Sequence, residues 1–213
     1  MDDAPSELRD GYDSVAAEYA EHFRDELARK PFDRLMLDWL AEKVGGRGPV
    51  CDMGCGPGQV AGYLAGRGVE ACGVDLSPGM VREARRLNPG VSFAVGDVLA
   101  LDGVADESYG GVAAFYSIIH VPRGRVVEAL GEVRRVLRPG GVLLVTFHLG
   151  RGALHREEFF GRAVSLDFHL FETAEMKEYL AAANLGVEEA VERDPYPEIE
   201  YPIRRAYVFA RKP

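Results

Sequence analysis

The stretch Val50-Cys51-Asp52-Met53-Gly54-Cys55-Gly56-Pro57-Gly58-Gln59 carries the most informative spacing in the chain. Glycines 54, 56 and 58 let the backbone turn sharply and approach a ligand closely. Asp75 follows 21 residues after Gly54, where an acidic side chain can hold two ribose hydroxyls. The spacing is G-x-G-x-G rather than the dinucleotide-binding G-x-G-x-x-G. Asp52, two residues before the first glycine, sets the charge of the loop. Its carboxylate would repel a pyrophosphate nearing a helix N-terminus. It would instead orient a cationic ligand, or one carrying an ammonium group. A nucleoside whose tail is a sulfonium and an amino acid fits that field. The bland alternative is a ligand-free strand-to-helix turn in which Asp52 caps the helix.

Such a loop needs a strand before it and a helix after it. Strand-like apolar runs occur at Val50–Met53, Val69–Asp75, Val91–Gly96, Val112–Tyr116 and Val142–Phe147, with helical stretches opening at Gln59, Pro78 and Pro122. Ser77-Pro78 supplies an N-cap and a proline suited to the first helical position, and Arg138-Pro139-Gly140-Gly141 a turn after the third helix. Near-continuous apolar strands alternating with helices imply a parallel sheet covered on both faces, a doubly wound α/β fold. Ahead of it, Tyr12, Val15 or Ala16, Tyr19 and Phe23 recur at helical spacing, with Asp13 or Ser14 able to cap. Phe32, Leu35, Met36, Trp39, Leu40 and Val44 predict a second helix that stops at Gly45-Gly46, with Lys30-Pro31 as the joint. Beyond the fifth strand, residues 148–163 read as a loop-like insertion and Val164 to Leu170 as a two-faced strand. Thr173 caps a helix to about Ala183. Runs at Val187–Glu192 and Ala206–Arg211 could pair as a hairpin around Asp194-Pro195-Tyr196-Pro197.

Five ordered segments resemble the class I S-adenosylmethionine-dependent methyltransferases, and the resemblance covers most of the chain. Val50 to Gly58 looks like the first motif of that family, and Asp75 is similar to its ribose-binding acid. Val95-Gly96-Asp97-Val98 resembles the segment that meets the adenine. Ala114-Phe115-Tyr116-Ser117-Ile118-Ile119-His120 resembles the strand end beside the sulfonium. Leu137-Arg138-Pro139-Gly140-Gly141 is similar to the turn before the fifth strand. Tyr12-Asp13-Ser14-Val15-Ala16 to Tyr19-Ala20 looks like the amino-terminal lid of small-molecule members. The resemblance implies a Rossmann-like, seven-stranded, mostly parallel sheet with its last strand antiparallel. It implies S-adenosylmethionine as cofactor and S-adenosylhomocysteine as product. By position, Asp52 and the loop backbone at Gly54 and Gly56 would hold the methionine end. Asp75 would bind the ribose, Leu76 and Met80 would pack near the adenine, and Asp97 would accept from its amino group beside Val98. Tyr116 and Ser117 would border the reacting methyl, while Tyr12 and Tyr19 would close over the cofactor.

The chemistry so implied is in-line methyl transfer to an oxygen or nitrogen of a small molecule. Positioning and desolvation can supply much of the acceleration, and a general base is needed only for a protonated acceptor. His120, just past the fourth strand, is the candidate base; its alternative is a cap or cofactor contact before Pro122. His148, His155 and His169, taken with Asp167, match no metal-ligand spacing, so no metal is expected. Cys51, Cys55 and Cys72 read as small buried residues.

One methyltransferase domain is expected over 1–213: a helical lid at 1–45, a cofactor core at 46–147, an acceptor-side insertion at 148–171, and a helix and strand pair at 172–213. The insertion mixes Phe159, Phe160, Phe168 and Phe171 with Arg151, Arg156, His155 and His169. That mixture would suit a partly aromatic or carboxylate-bearing acceptor, or else complete the core. With 34 acidic and 25 basic residues the net charge is −9, which argues against nucleic acid as partner. No apolar run approaches the ~18 residues of a membrane span. The first residues lack a signal-peptide pattern, and three cysteines without Cys-x-x-Cys suit a reducing cytoplasm. The expectation is a cytoplasmic monomer or homodimer acting on a small-molecule acceptor, with no membrane partner. Two rival functions fit a glycine-rich α/β loop: a nicotinamide-dependent oxidoreductase, disfavoured by Asp52, and a non-catalytic cofactor-binding protein.

Overall fold

The computed structural model of the protein describes residues 4–213. Strands β1 (Val50–Met53), β2 (Ala71–Asp75), β3 (Ser92–Val95), β4 (Tyr109–Phe115) and β5 (Leu137–His148) form at the apolar runs and pair in parallel. Every residue of β1 is buried, as expected for a central strand covered on both faces. Beyond β5, strands β6 (Ala153–Phe159) and β7 (Arg162–His169) make a separate antiparallel pair. Strands β8 (Gly186–Arg193) and β9 (Arg205–Arg211) then return to the main sheet. The sheet order is β3-β2-β1-β4-β5-β9-β8, with β9 antiparallel to both neighbours. This is the expected seven-stranded, mostly parallel, doubly wound sheet.

Helices α1 (Ala4–Phe23), α2 (Pro31–Val44), α3 (Gln59–Gly66), α4 (Pro78–Leu87), α5 (Val126–Val136) and α6 (Thr173–Ala182) surround it. Met36, Leu37, Leu40 and Val44 of α2 and Val60 and Leu64 of α3 bury one face with Val142, Leu144, Tyr207 and Phe209. Leu130 and Val133 of α5 and Met176 and Leu180 of α6 bury the other with Leu143, Val145 and Phe147. Each buried leucine contributes about 2 kcal/mol of burial free energy. Pro31 opens α2 and Gly45, at φ 54°, closes it. Ser77 caps α4 by accepting from the Met80 amide at 3.1 Å.

The sheet order reverses between β1 and β4, so their carboxyl ends flank a crevice where open α/β sheets bind ligands. The glycine loop follows β1 there, and Tyr116 and Ser117 follow β4.

Four expectations about local structure need correction. Residues 148–163 are not a loop: β6 occupies Ala153–Phe159 and β7 begins at Arg162, because the residues of β6 can pair with the two-faced strand β7. Neither Asp13 nor Ser14 caps the start of its own helix, since α1 begins earlier and both lie inside it. Asp13 instead accepts from Ser77 Oγ at 2.8 Å and from the Gly79 amide, at the start of α4. The cap of α6 is Glu172, whose side chain forms a reciprocal capping box with Glu175. The late hairpin exists, but 194–204 connect its strands rather than a four-residue turn.

Candidate active site

A cavity of about 550 Å³ opens at the crevice. All thirteen residues singled out from the sequence line it, although they come from separate segments between Tyr12 and His120. Asp52, Gly54 and Gly56 come from β1 and its loop, Asp75, Leu76 and Met80 from the end of β2 and the start of α4, and Asp97 and Val98 from the turn after β3. Tyr116, Ser117 and His120 follow β4, and Tyr12 and Tyr19 descend from α1.

Gly54, Gly56 and Gly58 have φ of 72°, 51° and 84°, a region open to glycine and costly for other residues. At Gly54 a Cβ would overlap the Ser117 Cβ, so glycine is what lets the β1 and β4 loops touch. The Asp52 carboxylate is 1% exposed and accepts from the Ala61 amide at 3.2 Å, so it caps α3 while lining the cavity. Burial pushes its carboxyl up to about 8, and the neighbouring Asp75 charge adds to the shift while the Ala61 amide opposes it. Asp75 is also raised by burial; the Ser77 and Gly56 amides, at 2.9 and 2.7 Å, hold the rise back. Asp97 accepts from the Leu99 amide at 2.9 Å and closes its own turn.

The roof is built from α1 and the β6–β7 hairpin. Gly11 in α1 leaves room for Leu166, since a Cβ at 11 would meet Leu166 Cδ2 at 3.0 Å. Arg162 reaches Glu18 at 2.8 Å, tying hairpin to helix. Tyr19 packs edge-on against Tyr12, Phe159 and Phe160, with ring centroids about 6 Å apart. Its ring lies beside Gly56. Tyr12 Oη is 2.8 Å from His120 Nε2, while His120 Nδ1 is 2.9 Å from the Asp167 carbonyl oxygen. A carbonyl only accepts, so Nδ1 carries the proton and Nε2 accepts from the Tyr12 hydroxyl. Burial lowers the imidazole to about 4, which keeps it neutral at pH 7. Of the four hairpin-region phenylalanines, Phe159 and Phe168 face the cavity, Phe160 stacks on Phe159, and Phe171 is core. Arg151 pairs outward with Glu172, His155 with Asp167, and Arg156 lies over Tyr201.

Beside Tyr116 and His148, one wall of the cavity adds residues that sequence reasoning missed. Tyr116, at φ 57°, stacks on His148 with ring centroids 5.1 Å apart. Its hydroxyl lies 2.9 Å from that of Tyr207, which donates to Asp33. Arg193 bridges Asp33 and Glu200, each at 2.7 Å. Lys30 pairs with Glu26 and lies 3.3 Å from Glu200, whose carboxyl these cations and the Tyr196 amide hold near 2. Arg205 stands across from His148 in the β5–β9 register and is 3% exposed. Burial together with the Arg205 and Lys30 charges drops His148 to about 3. One signal was available: Arg205 opens Arg-Ala-Tyr-Val-Phe-Ala-Arg, a strand whose period-two alternation turns it inward with Tyr207 and Phe209.

The sequence also matches known proteins. A family model described as a methyltransferase domain matches residues 50–141. A demethylmenaquinone methyltransferase of Beutenbergia cavernae is 34% identical over 149 residues, 68% of this chain and 59% of that protein. A trans-aconitate 2-methyltransferase of Methylobacterium nodulans is 44% identical over 132 residues, 61% of this chain and 48% of its own. The chain thus spans about three fifths or less of the length of these curated relatives. Among solved structures, the magnesium protoporphyrin IX methyltransferase of Synechocystis PCC 6803, crystallised with S-adenosylmethionine, superposes with a TM-score of 0.74. That superposition covers 100% of this chain and 99% of the other at 18% identity, a likeness of fold.

Proposed function

We propose that this chain, which belongs to the class I S-adenosylmethionine-dependent methyltransferase family, transfers a methyl group from that cofactor to an oxygen or nitrogen of a small molecule. The observation that carries the reading is the cavity itself. One continuous space joins a cradle of positive-φ glycines, three separate carboxylates and two roofing tyrosines. The residues fit the cofactor: a glycine cradle that a Cβ at position 54 would fill, and a buried acid suited to an ammonium or sulfonium tail. Asp52 and the loop backbone at Gly54 and Gly56 would take the methionine end, and Asp75 the ribose. Asp97, Val98, Leu76 and Met80 would take the adenine. The bound cofactor supplies a methyl already carried on a good leaving group.

What remains for the chain is orientation, exclusion of water and, for a protonated acceptor, removal of a proton. Tyr116 and Ser117 would border the transferring methyl, held there by the Ser117–Gly54 contact and the Tyr116–Tyr207 hydroxyl pair. Tyr12, Tyr19 and the hairpin would shut solvent out. His120 would accept a proton only through the Tyr12 hydroxyl, because Tyr12 occupies its Nε2. Its low basicity suits an acceptor that is already ionised or carries a free lone pair. Among the described residues no helix is long and apolar enough to cross a membrane, which is compatible with a small-molecule acceptor.

Calorimetric titration with S-adenosylmethionine and S-adenosylhomocysteine, with NAD and NADP as controls, tests the reading. Micromolar binding of the first pair is expected. Binding of a dinucleotide in their place would overturn it.

A further inference from the structure

We infer that the methyl acceptor is a small carboxylic acid, bound as its carboxylate, and that Arg205 is the residue that reads it. This specificity assignment rests on the methyl-transfer reading above.

Arg205 lines the cavity yet is almost wholly buried. Its Nη1 donates to the carbonyl oxygens of Tyr201 and Ile203. Its Nε lies 3.0 Å from Glu200 Oε1, close enough for an ion pair but off the hydrogen-bonding direction, so the buried Nε–H has no hydrogen-bond partner among the described residues. A buried charged N–H that faces an acid without a hydrogen bond to it is unfavourable, and a ligand carboxylate would supply the missing acceptor through a charge-assisted bond.

The surrounding acids do not fill that role. Glu200 is engaged by Arg193, at 2.7 and 2.9 Å, and by the Tyr196 amide at 2.8 Å. Glu26 pairs with Lys30, and Asp33 Oδ1 accepts from Arg193 and Tyr207. Lys30 and Arg193 hydrogen-bond these acids, whereas Arg205 faces Glu200 as an ion pair alone and keeps an unmade N–H. Position agrees. Arg205 neighbours His148, His148 stacks on Tyr116, and Tyr116 adjoins Ser117, which touches the glycine loop. The guanidinium therefore stands on the acceptor side of the cavity, away from Asp97. Burial is the main reason His148 is lowered, and the Arg205 and Lys30 charges at this wall add to it. Asp33 Oδ2 also lacks a partner, and it defines the competing ligand, one that donates rather than accepts.

The test is calorimetry on the full chain. S-adenosylhomocysteine is titrated first, and the saturated protein is then titrated with matched pairs: benzoate and benzamide, cinnamate and cinnamamide, fumarate and fumaramide. At least one carboxylate is expected to bind where its amide does not. Arg205→Gln is expected to weaken that carboxylate about tenfold or more, the scale of a lost charged hydrogen bond, with S-adenosylhomocysteine affinity unchanged. Arg205→Lys is expected to recover part of the loss. Amides binding as well as their acids would overturn the assignment in favour of Asp33. Full carboxylate affinity in Arg205→Gln, or no carboxylate binding at millimolar concentration, would also overturn it. If neither variant folds well enough to bind S-adenosylhomocysteine, the wild-type comparison of acid with amide decides. Failure of the wild type to bind S-adenosylhomocysteine is a different result, and it removes the methyl-transfer reading instead.

Discussion

Asp13, midway along α1, accepts a hydrogen bond from Ser77 Oγ at 2.8 Å, so α1 is bolted to the start of α4. The same carboxylate accepts from the Gly79 amide, and Gly79 permits the approach because a Cβ there would meet Asp13 Oδ1 at 2.7 Å. Tyr12 and Tyr19 ride on that helix. Asp13→Ala should therefore cost about 1 kcal/mol of stability, the usual worth of a capping acceptor. It should also weaken S-adenosylhomocysteine several-fold by loosening the roof. Chemical denaturation and calorimetry read the two effects. Unchanged affinity would mean that the hairpin alone places Tyr12 and Tyr19.

Gly54 and Gly68 both have positive φ, at 72° and 81°, but only Gly54 faces a neighbour. A Cβ at position 68 would meet nothing within 4 Å. Gly68→Ala should cost about 1 kcal/mol of backbone strain and leave cofactor affinity alone. Gly54→Ala adds the overlap with Ser117 and should abolish binding. Equal behaviour of the two variants in paired titrations would show that strain, not contact between the two loops, governs the site.

What the sequence made legible follows from periodicity and from local backbone chemistry. The β1 loop could be read because glycine spacing and a following acid act over short range, and the core strands because full burial leaves continuous apolar runs. Strand β6 was missed because Ala153–Phe159 is mostly exposed and polar, with pairing to β7 as its main support. Asp13 was misassigned because a capping residue looks the same whether it serves its own helix or one 64 residues away. The Lys30, Asp33, Arg193, Glu200 and Arg205 network joins distant segments of the chain, and no local rule pairs charges across such separations.

Tyr207 is fully buried, and its hydroxyl meets Asp33, Tyr116 and Arg193. Tyr207→Phe leaves those groups short of a partner and should cost roughly 1–3 kcal/mol by urea denaturation. Because Tyr116 loses its anchor, acceptor binding should suffer more than S-adenosylhomocysteine binding. An equal loss for both ligands would place the effect in general stability instead.

On the role proposed for Asp52, cofactor binding and stability should respond to pH in opposite directions. Its carboxyl sits near ~3.9 when unfolded and is pushed up to about 8 by burial in the fold. The folded state therefore holds the proton more tightly, and this group's contribution to stability is full at low pH and is lost as pH rises towards 8. A cationic tail needs the ionised form, so binding at pH 7 must expel the proton, and affinity should climb with pH until about 8 and then level off. Titrations in two buffers of different ionisation enthalpy read the proton directly, with release approaching one per site expected at pH 7. Asp52→Asn should abolish that release, weaken S-adenosylhomocysteine about tenfold or more, and yet unfold at a higher temperature than wild type at pH 8. Zero proton release in the wild type, or an asparagine variant that melts earlier at pH 8, would mean that Asp52 is already ionised in the free protein and that the α3 cap, not the cavity, sets its state.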